Sequence, residues 1–179
     1  MGHFVNSFPS VHFHNNNSIL FDGINDHITI AGLTNDIDTG AGTVSMWIKL
    51  DATSANGAWF KASTDSNNQV AMTYVNGSTV FRPTYKAGGT AESVDIAFNF
   101  EGNDTWYQVA ITWDTAAAEG AGEMKAWLSG AQSGDVQAIA GTWSGSINTV
   151  TVGKNSLADN SYAAVSYTHL RAHETDSYL

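Results

Sequence analysis

Six tryptophans, Trp47, Trp59, Trp106, Trp113, Trp127 and Trp143, are the side chains of this 179-residue chain best suited to recognition chemistry, because a flat indole pairs with the C–H face of a pyranose ring. Most are expected to fill or cover a core. Trp47 and Trp127 differ, since each alternates with apolar neighbours: Val44, Met46 and Ile48 for the first, Met124, Ala126 and Leu128 for the second. In a pleated strand that spacing sends the indole to the face opposite the apolar row. His12-Phe13-His14 has the strand spacing to set two imidazoles on one face, a start for a transition-metal site. No third ligand is adjacent, and surface histidines are the simpler reading. Asp36-Ile37-Asp38 gathers oxygens in an Asn/Asp/Thr-rich loop and reads as a solvated turn.

Composition removes several other chemistries. Seventeen acids against seven bases leave a formal charge of −10, the wrong sign for a phosphate backbone, so nucleic acid is not expected as a partner. Without cysteine there is no disulfide frame, thiolate zinc site or thiol nucleophile. No run approaches the roughly 18 apolar residues of a membrane helix. The segment 2–13 lacks a Lys or Arg followed by an apolar run, so neither a membrane partner nor an export signal is expected. The length suits one domain.

The elements that must position these side chains follow a period of two. Strands are expected at 18–21, 27–30, 43–50, 58–62, 69–75, 78–81, 93–99, 106–113, 123–129 and 147–152, separated by Gly, Asn and Ser punctuators. Asn76-Gly77 is the strongest local hairpin signal, as a type I′ turn. Pro83 marks an edge, a bulge or a loop. Helix-period windows at 114–122 and 157–165 are short, so helix is a minor component. Many short strands without βα alternation predict an all-β sandwich, with the links 61–68 and 115–122 crossing between sheets.

Ser18-Ile19-Leu20-Phe21-Asp22-Gly23-Ile24-Asn25-Asp26-His27-Ile28-Thr29-Ile30 resembles the opening hairpin of laminin-G-like, concanavalin-A-like jelly-roll domains. Thr43-Val44-Ser45-Met46-Trp47-Ile48-Lys49 and Thr105-Trp106-Tyr107-Gln108-Val109-Ala110-Ile111-Thr112-Trp113-Asp114 are similar to two later strands of that family. Glu123-Met124-Lys125-Ala126-Trp127-Leu128-Ser129-Gly130 and Val150-Thr151-Val152-Gly153 fall where it has a strand ending in Asn-Gly and a strand ending in Gly. After Gly153 the acidic closing strand of the family is missing. Residues from about 165, beginning Val165-Ser166-Tyr167-Thr168-His169-Leu170-Arg171, resemble translated sequencing-adaptor read-through instead.

The resemblance implies a two-sheet antiparallel jelly-roll sandwich lacking its usual closing strand. Residues 1–17 then form a lead segment, 18–164 the domain and 165–179 a non-native tail that either fills the gap imperfectly or dangles. Marginal stability or self-association follows from such a gap. Family members that hydrolyse glucans use closely spaced carboxylates on one strand, and none of Glu92, Glu101, Glu119, Glu123 and Glu174 has such partners, so no enzyme is expected. In related jelly rolls an acid at the Phe-Asp-Gly position helps hold calcium. Asp22 and Asp26 are therefore the candidate Ca2+ ligands, with an Asx turn as the alternative. Because jelly-roll lectins bind through loops and one concave sheet, Asn56, Trp59, Arg82, Tyr85 and Asn103 join Trp47 and Trp127 as candidate ligand contacts.

The expected function is a non-catalytic binding or adhesion module for a glycan or a protein surface, in a virion or at a cell surface. The alternative is a structural capsid or tail decoration domain that binds no sugar. A glycoside hydrolase ranks third, and fold by itself selects none of them.

Overall fold

Strand β3, Ala41–Leu50, alternates as its sequence requires: Val44, Met46, Ile48 and Leu50 are buried, Thr43, Ser45 and Lys49 are half-buried, and Trp47 is exposed. The computed structural model describes residues 18–50, 56–75, 79–98, 100, 105–117 and 122–154, and the backbone of 164–173. Around β3 run β1 (Ile19–Asp22), β2 (Ile28–Thr29), β4 (Gly57–Asp65), β5 (Asn68–Val75), β6 (Val80–Ala87) and β7 (Thr90–Ser93). They are followed by β8 (Ile96–Ala97), β9 (Tyr107–Asp114), β10 (Gly122–Leu128), β11 (Ala131–Ile139), β12 (Thr149–Val152) and β13 (Ala164–His173). A single 3-10 turn, Ala31–Thr34, is the only helical element among the described residues. None of them forms a helix long and apolar enough to cross a membrane.

Every pairing is antiparallel, in two sheets. One is ordered β1-β13-β3-β9-β10-β11; the other is β2-β12-β4-β5-β6-β7, with β8 beside β6. This is the expected jelly-roll sandwich. Its core is the apolar row of each sheet: Val44, Met46, Ile48, Val109, Ile111 and Met124 from the first, and Trp59, Val70, Met72, Tyr74, Phe81 and Val150 from the second. Trp59 is fully buried, stacked 5.7 Å from Tyr74 and 5.3 Å from Phe81, with Phe100 edge-on at 5.4 Å. Burial of an aromatic this size removes enough apolar surface from water to contribute about 4–6 kcal/mol before entropic costs. At Gly42 the backbone runs so close to the Trp113 ring that a Cβ would overlap it.

Local turn signals and observed turns differ in part. The β5–β6 hairpin exists, but Val75 pairs with Val80, which leaves four residues between the strands rather than two. Asn76 and Gly77 themselves lie outside the described residues. Two-residue connections close β6–β7 at Gly88-Gly89 and β10–β11 at Ser129-Gly130. Both Ser129 (φ 51°) and Gly130 (φ 83°) have positive φ, as a type I′ turn demands. Pro83 sits inside β6, not at its end. It falls where the outer neighbour changes from β8, which pairs at Val80 and Phe81, to β7, which pairs from Thr84 onward, so no ladder partner there needs its missing N–H. Strand β11 escapes a period-two reading because it is a polar edge, bulged around Gly134, with Ile139 its one buried residue. Of the helix-period window 114–122, Asp114 ends β9 and Gly122 starts β10. The window 157–165 lies outside the described residues apart from the start of β13.

The tail takes the first of its two expected fates. The backbone of β13 pairs with β1 on one side and β3 on the other, with its register broken between Thr168 and Arg171. Strands β1 and β3 are thus both paired along this segment.

Candidate functional site

Strands β3, β9 and β10 turn their apolar alternates inward, so their other residues form one continuous outer surface. The register sets them in rows. Trp47 stands beside Gln108; Ser45 stands beside Ala110, which stands beside Trp127; Thr43 stands beside Thr112, which stands beside Lys125. Across these rows lies a shallow groove of about 250 Å³, floored by Ser45 and the small Ala110 and walled by Thr43, Gln108, Thr112 and Trp127, with Gly130 at its rim. The Trp127 indole is fixed: its Nε1 donates to Thr112 Oγ1 at 3.2 Å. The rim is tied down as well, since the Ser129 amide donates to the Gln108 carbonyl at 2.7 Å. Trp47 is 41% exposed.

Among the residues whose side chains are described, charged groups border this groove without lining it. Lys125 is ion-paired with Glu123. Asp114 faces Glu123 across β9 and β10, but its Oδ1 accepts the Ala116 amide at 2.8 Å. At the opposite end the Lys49 ammonium lies 5.8 Å from the centre of the Trp106 ring. The two carboxylates brought side by side are thus engaged in a turn and an ion pair.

The remaining candidates disperse. Trp59 and Tyr85 are core residues, which overturns their assignment as ligand contacts. Tyr85 is 1% exposed, its hydroxyl donates to the Thr39 carbonyl at 2.8 Å, and burial pushes its phenol up to about 12. Both lie in strands rather than loops: Tyr85 is an inward alternate of β6, and Trp59 sits at the register break of β4 between Ala58 and Phe60, buried along with both. Arg82 is on the outer face of the other sheet, in a bidentate pair with Asp95 at 2.5 and 2.7 Å. Asn56 is exposed at the bend entering β4, a strand of the other sheet. Asn103, His12 and His14 lie outside the described residues.

Asp22 caps its own turn. Its Oδ1 accepts the amides of Ile24 at 2.8 Å and Asn25 at 3.3 Å, and the Ile24 amide leads in holding its carboxyl below the usual range. Asp26 Oδ2 accepts the Asp22 amide at 3.2 Å. The residue opposite Asp22 in register is Ala164 rather than an acid. Among the described residues no three His, Cys, Asp or Glu side chains gather as a metal group. Calcium takes six to eight oxygens, of which Asp22 and Asp26 would contribute two carboxylates.

Reading the sequence alone finds Trp47 and Trp127 but passes over Thr43, Ser45, Gln108, Ala110 and Thr112. The signal is present: each is the outward alternate of a strand recognised by its inward one. What the sequence lacks is the register that sets them side by side.

No curated protein is similar to this chain in sequence. Among solved structures, mouse laminin alpha1 chain domains LG4-5 match with a TM-score of 0.68 and 10% identity, over 89% of this chain and 42% of that one. Trypanosoma rangeli sialidase in complex with 2,3-difluorosialic acid matches at 0.62 and 14%, over 88% and 25%. Botulinum neurotoxin type C, whose cell entry depends on interaction with two ganglioside molecules, matches at 0.55 and 17%, over 82% and 34%. The chain therefore spans less than half the length of each, and at these identities the likeness is one of fold. A family model for the concanavalin A-like lectin/glucanases superfamily matches residues 22–175, which takes in every strand of the grooved sheet except the first residues of β1. By that match, the chain belongs to the concanavalin A-like lectin/glucanases superfamily.

Proposed function

We propose that this chain is a non-catalytic binding module that holds a glycan on the outer face of its β3-β9-β10 surface, against Trp127 and Trp47. One observation carries the reading: a pinned indole stands over a floor of small and hydroxylated side chains, the mixture of aromatic surface and few fixed polar groups that ligand sites use. Against hydrolysis stands the engagement of Asp114 and Glu123 with the Ala116 amide and Lys125. Glycan-array binding by the full chain is the test, run with added calcium and with a chelator because Asp22 and Asp26 remain the proposed ligands for that ion. Binding lost in Trp127→Ala and weakened in Trp47→Ala supports the proposal. Binding that both variants retain overturns it.

A second reading, a structural domain in a virion or cell-surface assembly, draws support from the edge strand β1. Ile19 and Leu20 there, and Ile24 in the following turn, are 51%, 68% and 72% exposed, an apolar edge suited to a protein contact. Silence on a broad array together with co-purification with virions favours it.

A further inference from the structure

We infer that the groove takes a linear, uncharged oligosaccharide longer than one sugar, rather than a single terminal residue or an acidic glycan; this rests on the glycan-binding reading above. The lining carries the first half of the argument. Among the described residues, the groove offers hydroxyls from Thr43, Ser45 and Thr112, the amide of Gln108, and the Trp127 ring, with no charged side chain. A carboxylated or sulfated sugar seated there would lose water without gaining a counter-charge. Among the residues whose side chains are described, the nearest cations are already engaged, Lys125 by Glu123 and Lys49 over Trp106. The chain's net charge of −10 adds long-range repulsion of anions. Hydroxyl and amide groups, each able to donate and accept, match sugar hydroxyls instead.

Spacing carries the second half. Trp127 pairs with Ala110 on one side of β9, and Trp47 pairs with Gln108 on its other side, two residues along. Two interstrand steps and two residue rises place the two tryptophans about 12 Å apart. That exceeds the width of one pyranose ring. Gln108, flanking the path between them, can hydrogen-bond an intervening sugar. Trp127, fixed by Thr112, forms the primary platform, and the exposed Trp47 a second one that only a longer chain reaches.

The test is calorimetric titration of the full chain with cello-, manno-, xylo- and laminari-oligosaccharides of increasing length, and with oligogalacturonates as the acidic series. Affinity is expected to rise roughly tenfold or more between the monosaccharide and a chain long enough to reach Trp47, with little dependence on salt. Trp47→Ala removes that gain while leaving short-chain binding. Trp127→Ala removes all binding and Trp127→Phe restores part of it, with circular dichroism confirming that each variant is folded. Affinity that is flat with length, or a salt-sensitive preference for oligogalacturonate, overturns this inference while the dependence on Trp127 keeps the glycan reading. Absence of binding to every series, or binding indifferent to Trp127, overturns the glycan reading itself.

Discussion

The inner and outer faces of the β3-β9-β10 surface are written by alternate residues of the same strands, yet they obey different rules. Inward, Val44, Met46, Ile48, Val109, Ile111 and Met124 are buried to 1% exposure or less, and Trp59 from the opposite sheet is buried as completely. Outward, Thr43, Ser45, Gln108, Thr112 and Trp127 are half-open and fixed by a few hydrogen bonds. A tryptophan at one site is part of the folding free energy; at the other it is a surface that folding leaves available. Residue type is the same in both cases, and the facing decides the role.

The sharpest way to break this contrast is to remove both faces' support together. Deleting residues 164–179 unpairs β1 and β3 along the length of β13. It is expected to abolish the folded monomer, read as loss of a cooperative transition by circular dichroism and as aggregation in size-exclusion chromatography. Trp59→Ala attacks the inner side alone. With its ring fully buried among core aromatics, it should cost about 3–5 kcal/mol in urea unfolding. A cost under about 1 kcal/mol would remove Trp59 from the core side of the comparison. Gly42→Ala drives a methyl into the Trp113 ring and should cost about 1–3 kcal/mol in the same assay.

Trp127→Ala is the outer counterpart. It should change stability by about 1 kcal/mol or less while removing the binding proposed above. A loss as large as that of Trp59→Ala would show the outer indole to be structural. The smallest effect lies on the opposite sheet. The Arg82 hydrogen bond holds the Asp95 carboxyl below its usual 3.8. A folded-state value that is depressed contributes stability above the unfolded value and loses it as pH falls through the folded one. Both side chains are substantially open, 40% and 51% exposed, so solvent screening leaves well under about 1 kcal/mol. Melting temperature against pH should fall slightly more steeply on the acid side for the wild type than for Asp95→Asn.

How much of the fold and the groove is legible in the sequence depends on how local each signal is. The alternation in β3 and β10 assigns Trp47 and Trp127 to the outer face without reference to any other strand, because period two is a property of the strand itself. Tyr85 passes for a loop contact because β6 runs on past the expected strand end at 81, and Trp59, inside the expected strand 58–62, passes for a ligand contact because the face it presents is not settled without its partners. Ser129-Gly130 stands out only within a family landmark, while Asn76-Gly77 draws the type I′ assignment. Turn preference names residues that tolerate positive φ, and only the pairing of Leu128 with Ala131 or of Val75 with Val80 says how long each connection is. Strand β11 carries almost no apolar alternation because an edge strand with an open face buries little.

What this sequence determines by itself is the two-faced character of its strands: which side chains are apolar, how they alternate, and that two tryptophans alternate out of phase with them. Only the tertiary structure decides which strands lie side by side. The groove joins Ser45, Ala110 and Trp127 from three separate strands, and such neighbours are set by interstrand hydrogen bonds and by the packing of one sheet on the other. The folded chain likewise commits Asp22 to its own turn and Asp95 to Arg82. Spacing along the chain specifies the face a residue presents, and the free energy of the assembled sandwich selects the neighbours it meets there.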